Sequence, residues 1–149
     1  MSNKKHEKFV RAAIKEASKA LREGNRPYGA VLVKDDKIVA KAHNTTTTDN
    51  DPTAHAEVNV IRKLCKRLRT KNLEGYTLYT NVESCPMCAA ACIWAGISRM
   101  VYGASIQDIM KAGRKQIKMS SKKVIDVGFR KIEVIGGVLK GESLKHFQT

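Results

Sequence analysis

At 149 residues, with 42% hydrophobic and 28% charged residues, the chain has the composition of one soluble globular domain, which we expect to span residues 1–149. Its apolar runs are too short to cross a membrane, its N-terminus has no apolar signal core, and its four cysteines suggest no disulfide framework, so we expect a cytoplasmic protein. The net charge of +14 is typical of nucleic-acid binding and also of a solvated basic surface without a partner, and charge alone leaves both open.

The predicted helices and strands share an apolar periodicity of 3.6 or 2 residues and are bounded by turn residues. In chain order they are a helix over 4–23, strands over 28–33 and 37–42, a helix over 54–69, a strand over 76–82, a helix over 86–95, a strand over 99–103, a short helix over 105–112, a strand over 131–135 and a helix over 141–147. Asp51 or Thr53 is expected to cap the second helix, and no element is assigned over 115–127. Helices alternate with strands after the first hairpin, which predicts an α/β fold: a three-layer α/β/α sandwich with a mixed five-stranded sheet.

Two short motifs place metal-binding side chains at the starts of neighbouring predicted helices. His55 supplies an imidazole, and Cys85 and Cys88 supply two thiols, so three protein ligands leave a fourth position for water, as in a catalytic zinc site. Cys85 falls at a helix N-cap, with Pro86 at the first helical position, and the positive end of the helix dipole favours the thiolate that binds metal. Glu57, two residues after His55, suits a proton carrier beside the metal. The sequence therefore predicts one zinc ion per chain and Glu57 as the catalytic residue.

Other interpretations of the cysteines remain open. A Cys-x-x-Cys pair can be a redox pair, although that interpretation leaves the His-x-Glu motif unexplained. Cys92 could complete a structural four-ligand site, but it lies seven residues after Cys85, two helical turns behind the metal, and buried packing is favoured. Cys65, inside a basic helix, is expected to be inert.

With these residues, the chain resembles the cytidine and deoxycytidylate deaminase superfamily, within the branch of guanine deaminases and bacterial tRNA adenosine deaminases. His-x-Glu followed by Pro-Cys-x-x-Cys is the signature of zinc-dependent nucleobase deaminases, and Ser84 stands where that signature has proline. The similarity covers roughly residues 9–113, and segments 50–58 and 79–88 are most similar to guanine deaminases.

The resemblance implies hydrolytic deamination of a nucleobase or nucleoside, with guanine as the first expectation. A tRNA-specific adenosine deaminase is the main alternative, and a cytosine or cytidine deaminase is the second. A binding protein that has lost activity is disfavoured by the intact motifs. Guanine deaminases carry an acid shortly after the glycine matched by Gly113, whereas this chain has Arg114, Lys115 and Gln116 there.

The resemblance also implies a substrate pocket and an assembly. Residues expected to contact substrate, through a base-binding amide, backbone N–H groups or an aromatic wall, are Asn44, Ala56, Cys85, Tyr28, Trp94 and Phe147. Of the two basic stretches, we expect 61–73 to point away from the site and 111–123 to lie where it could meet the phosphates of a tRNA. Related deaminases are at least dimers, so we expect a homodimer. The helical stretch 89–95 contains small residues that suit packing against a partner or against the sheet: Ala89, Ala90, Ala91 and Ala95.

Overall fold

The structure, a computed structural model, describes residues 3–148, so the outermost residues of the predicted domain lie outside the described range. Its helices and strands are α1 Asn3–Arg22, β1 Gly29–Lys34, β2 Lys37–His43, α2 Ala56–Leu68, β3 Thr77–Val82, α3 Pro86–Ala95, β4 Arg99–Ala104, α4 Ile106–Lys111, α5 Ser121–Asp126, β5 Glu133–Ile135 and α6 Lys140–Leu144, followed by a 3-10 turn over Lys145–Phe147. No helix within the described range is long and apolar enough to span a bilayer.

The five strands form one mixed sheet in the order β2-β1-β3-β4-β5. β1 pairs antiparallel with β2 and β3, whereas β4 pairs parallel with β3 and β5. The β1–β2 hairpin closes through Asp35 and Asp36, which both have positive φ, the backbone of a two-residue turn that matches strand twist. Parallel pairing brings the C-terminal ends of β3 and β4 to the same edge of the sheet, and the residues after β3 include Cys85.

Helices cover both faces of the sheet, as the sequence predicted. Successive residues of a strand point to opposite faces, so Ala30 and Leu32 pack in a core with α2 and α3. Val31 and Val33 pack in a second core that contains Phe9 of α1. The three-layer α/β/α sandwich is therefore confirmed.

Three local predictions are corrected. α2 begins after His55, because the Asp51 carboxylate accepts hydrogen bonds from the backbone N–H and hydroxyl of Thr53 (2.8 and 2.7 Å) and closes the preceding loop instead of capping the helix. The segment over 115–127 contains α5, a six-residue helix that is too short for a clear apolar repeat. The closing helix is split into α6 and a 3-10 turn.

Candidate active site

The N-termini of α2 and α3 place one imidazole and two thiols together. His55 Nδ1 lies 3.7 Å from the Cys85 sulfur and 3.6 Å from the Cys88 sulfur. His55 and Cys85 are the N-cap residues of their helices and have extended backbones, and Pro86 occupies the first turn of α3. Tetrahedral zinc, with bonds of about 2.3 Å to sulfur and 2.0–2.1 Å to nitrogen, separates such ligand atoms by about 3.6 Å. The donor set and its spacing therefore fit zinc.

The thiols and the imidazole are electrostatically coupled. The hydrogen bond from Cys88 and the contact with His55 lower the pKa of Cys85 to about 4, although burial opposes this shift. The Cys85 thiolate raises the pKa of Cys88, as does burial, and its hydrogen bond to His55 raises the pKa of the imidazole. The lowered pKa of Cys85 favours its thiolate, the form that binds metal, and metal binding would displace the protons that the cluster still holds.

Glu57 is a buried acid beside this cluster, in the first turn of α2. Burial raises its pKa, and the negative charge on Cys85 acts in the same direction, while its own backbone N–H opposes the shift. The Ser84 hydroxyl lies beside the carboxyl group but makes no hydrogen bond of normal geometry with it. A carboxyl group whose pKa is raised by burial can both accept and return a proton in a catalytic site.

The cluster opens into a cavity of about 220 Å³. Its walls are formed by Arg26, Tyr28, Asn44, Thr46, Pro52, His55, Glu57, Glu83, Cys85 and Gln116. Pockets for drug-sized ligands measure roughly 300–1,000 Å³, so this cavity suits a small ligand such as one planar ring system. Five of these residues were named from the sequence: Asn44, Tyr28, Glu57, His55 and Cys85. Arg26 and Glu83 were not.

Asn44 can present one hydrogen-bond donor to a ligand in the cavity. Its side-chain oxygen accepts from the backbone N–H and hydroxyl of Thr46 (3.0 and 2.9 Å), and its backbone N–H donates to the Tyr28 carbonyl. Across residues 3–148, the structure gives no hydrogen-bond partner to Asn44 Nδ2, the atom that remains for a ligand. Asn59 holds this loop against α2 by donating to the carbonyl of His43 and the hydroxyl of Thr45, both at 2.9 Å.

Asn81 supports the opposite wall. Its buried side chain accepts from the Gly29 N–H and donates to the Pro27 carbonyl, both at 2.9 Å. These two bonds fix the residues on either side of Tyr28, whose ring packs against Phe147 at a centroid distance of 5.4 Å. Phe147 is therefore a support behind the wall and is not itself part of the cavity lining.

One of the predicted substrate residues, Trp94, lies elsewhere. Trp94 is 73% exposed, packs edge-on against Phe129 at 5.1 Å and does not line the cavity. The reason is its position near the C-terminus of α3, roughly 12 Å along the helix from the metal-binding end. The prediction for Ala56 concerns its backbone N–H, which lies at the start of α2, and it stays a prediction; the Ala56 side chain is buried in the core.

Comparisons with known proteins agree with this geometry. The family profile described as "Cytidine and deoxycytidylate deaminase zinc-binding region" matches residues 3–104. Guanine deaminase of Bacillus subtilis is 46% identical over 109 residues, which are 72% of this chain and 70% of that protein. The tRNA-specific adenosine deaminase of the same species is 48% identical over 98 residues, and the match spans 66% of this chain and 61% of the relative. A solved structure from work on A-to-I editing by tRNA:A34 deaminases is 34% identical with a TM-score of 0.79, covering 93% of this chain and 97% of that one.

Proposed function

Because the chain belongs to the cytidine and deoxycytidylate deaminase family, we propose that it hydrolytically deaminates a purine, with guanine, as free base or nucleoside, as its first substrate. One observation carries the proposal: His55, Cys85 and Cys88 meet beside a buried Glu57 in a cavity of about 220 Å³. Hydrolysis replaces the exocyclic amine of the base with the oxygen of water and releases ammonia.

His55, Cys85 and Cys88 are the residues that would hold one zinc ion per chain. Zinc in such a three-ligand site leaves a position for water and lowers the pKa of that water toward ~7. Glu57 is placed to take a proton from water and to return protons to the ring nitrogen and to the leaving amine. Asn44 Nδ2 is placed to donate to an acceptor on the ring and thereby orient the base. The half-buried Tyr28 in the cavity wall would reduce the access of bulk water to the substrate.

A tRNA adenosine deaminase is the second candidate, and two observations favour it. The match to the tRNA:A34 deaminase structure extends over nearly the whole of both chains. The wall of the cavity carries Gln116, which cannot transfer a proton, in the region where guanine deaminases are expected to have a second acid. Arg26 in the wall and Arg114 over the Phe147 ring add positive charge at the cavity that could face phosphates.

The experiment that separates these candidates measures ammonia release from guanine, guanosine, adenosine, cytosine and a tRNA anticodon stem-loop at ~50 and ~200 mM salt. Turnover by a free-base enzyme should be nearly indifferent to salt. An enzyme that makes six to ten phosphate contacts with RNA should instead lose about 10³–10⁵-fold in affinity as the salt rises over this range. Glu57→Gln serves as the inactive control. Turnover of the stem-loop alone, with that salt dependence, would identify tRNA instead of guanine as the substrate. The absence of ammonia from every substrate would refute the proposed activity as a whole.

We also propose that two copies associate through α3. This helix contains no charged residue, and a helix that is apolar on all sides is normally buried. Met87, Ala90 and Ala91 are nevertheless half-buried, and Trp94 is 73% exposed although it packs edge-on against Phe129. One apolar face of α3 is therefore only partly covered within the described part of the chain. Light scattering at micromolar concentration should give about 33 kDa, twice the chain mass of 16.5 kDa.

Trp94→Glu should shift the mass toward that of one chain, whereas Leu21→Glu, which changes an exposed apolar residue on α1, should leave it unchanged. A single-chain mass for the wild-type protein would exclude the dimer without affecting the proposed chemistry.

A further inference from the structure

We propose that Glu83 is a positioning residue that fixes the cavity wall: its carboxylate anchors the wall segment, residues 113–120, and thereby holds Gln116 against the substrate. The inference rests on the proposed function and deepens it, because it identifies what sets the discrimination between bases at that same site. Glu83 follows β3 directly, lines the cavity and is only 7% exposed.

The Glu83 carboxylate is fully engaged by the protein. One oxygen accepts from the Ile106 N–H at 3.0 Å, and the other accepts from the N–H and the hydroxyl of Ser121 at 2.8 and 2.9 Å. Ile106 and Ser121 are the first residues of α4 and α5, so one carboxylate joins the starts of two helices. Hydrogen bonds to an ionised acceptor are about twice as strong as neutral ones, and these three are shielded from water.

Neither helix needs Glu83 as its own cap. α4 has a capping box in which Ser105 and Asp108 bond each other's backbone N–H groups. In α5, the Ser120 hydroxyl accepts from the Lys123 N–H. Glu83 therefore supplies something that the local caps do not: a connection across 38 residues between the metal-binding edge of the sheet and the end of the wall segment.

The first residues of the wall segment are held by the Arg114 N–H, which donates to the Ile109 carbonyl at 3.0 Å, and by the Arg114 side chain over the Phe147 ring, whereas Glu83 holds the other end through Ser121. The segment starts at Gly113, which has a φ of +93°, and residues 114–119 form neither helix nor strand. Most of its side chains are exposed, including Ile117 at 60%, while Arg114 and Gln116 are half-buried. Gln116 lies against the Tyr28 hydroxyl in the cavity wall. A carboxamide offers both a donor and an acceptor, so its position determines which edge of a base it can pair with.

Hydrogen exchange and kinetics together test the inference. Glu83→Gln retains the size of the side chain but replaces one accepting oxygen with a donor, so it should accelerate amide exchange in peptides covering 113–121 about 10–100-fold. Bound zinc should stay at the wild-type level, because the metal-binding residues keep their helix starts. Asp108→Asn is the matched control: it removes a capping carboxylate from α4 without touching the wall segment, so exchange over 113–121 should remain as in wild type.

The kinetic test is a double-mutant cycle of Glu83→Gln and Gln116→Ala, measured with guanine or the stem-loop, whichever the enzyme turns over. Glu83→Gln should raise KM more than it lowers kcat and should reduce discrimination between bases. Its effect should largely disappear in a Gln116→Ala background, since both changes act through the same contact. If Glu83→Gln does not fold, Ser121→Ala removes one of the three hydrogen bonds and should give the same pattern with smaller amplitude.

Unchanged exchange over 113–121, or a Glu83→Gln effect on KM that is undiminished in the Gln116→Ala background, would overturn the inference. Loss of zinc in Glu83→Gln would also overturn it, because Glu83 would then act on the metal-binding loop. If no substrate is turned over, the proposed function fails, while the exchange arm still decides the role of Glu83.

Discussion

The two side-chain hydrogen bonds of Asn81 allow a prediction of how much this residue contributes to the free energy of unfolding. Its buried amide satisfies the Gly29 N–H and the Pro27 carbonyl at the start of β1. Asn81→Leu retains the branch at Cγ and the number of side-chain heavy atoms but leaves both backbone groups without a partner. Each unsatisfied buried group costs about 1–3 kcal/mol, so the substitution should lower the free energy of unfolding by about 2–6 kcal/mol. That is a large part of the roughly 5–15 kcal/mol that stabilises a typical domain.

The measurement is urea unfolding followed by far-UV circular dichroism, with zinc held at one concentration because bound metal adds to apparent stability. In a thermal scan, the same loss corresponds to a lowering of Tm by about 4–24 °C, from roughly 2–4 °C per kcal/mol for a domain of this size. Asn72→Leu is the matched control. Asn72 is exposed and its side-chain oxygen accepts from the Glu74 N–H in contact with solvent, so its replacement should cost less than about 1 kcal/mol. Equal losses for the two variants would show that the Asn81 hydrogen bonds do not support the Tyr28 wall as argued.

Three further predictions concern the metal, the proton carrier and pH. Elemental analysis should find about one zinc ion per wild-type chain, little zinc in Cys85→Ser and the wild-type amount in Cys92→Ser. Loss of zinc from Cys92→Ser would mean that the ligand set is wrong. Glu57→Gln should keep its zinc but lose at least ~10²-fold in ammonia release, and near-normal turnover would assign the proton to another group. Burial lowers the pKa of His6 below 6.5, so as pH falls the imidazole is protonated in the unfolded chain before it is protonated in the folded one. The stability contributed by neutral His6 is therefore complete above pH ~6.5 and declines as pH falls below it. His6→Gln should therefore weaken the dependence of the unfolding free energy on pH between ~7.5 and ~5.5, and an unchanged dependence would contradict the buried neutral imidazole.

The sequence predicted the chemistry-bearing residues far better than their supports. His55, Cys85 and Glu57 were found because ligand type, spacing and helix starts are local properties of the chain. Asn81 and Glu83 were missed because each acts mainly on backbone groups that lie 23–54 residues away, and backbone groups leave no pattern in a sequence.

The misplacement of Trp94 has a different cause. Every position of α3 from Met87 to Ala95 is apolar, so the helix has no polar stripe from which its outward face could be predicted. The aromatic side chain of Trp94 suggested a place in the pocket wall, whereas the fold places it on the outer surface. α5 was missed although Ser120 is a good N-cap residue, because a helix of six residues shows less than two turns of periodicity.

The separation between the metal-binding framework and the wall segment has a consequence for how such enzymes diversify. The three side chains proposed to hold zinc, and Glu57, belong to α2, α3 and the residues just before them, which pack in the main core. Residues 113–120 lie outside this framework and contribute Gln116 through one exposed stretch. Substitutions there can change substrate preference while the hydrolytic machinery persists. That arrangement accords with relatives of 46% and 48% identity that are named for such different substrates as guanine and a tRNA adenosine. If Gln116 contacts the base as proposed, grafting alternative 113–120 segments onto this chain should change its base specificity.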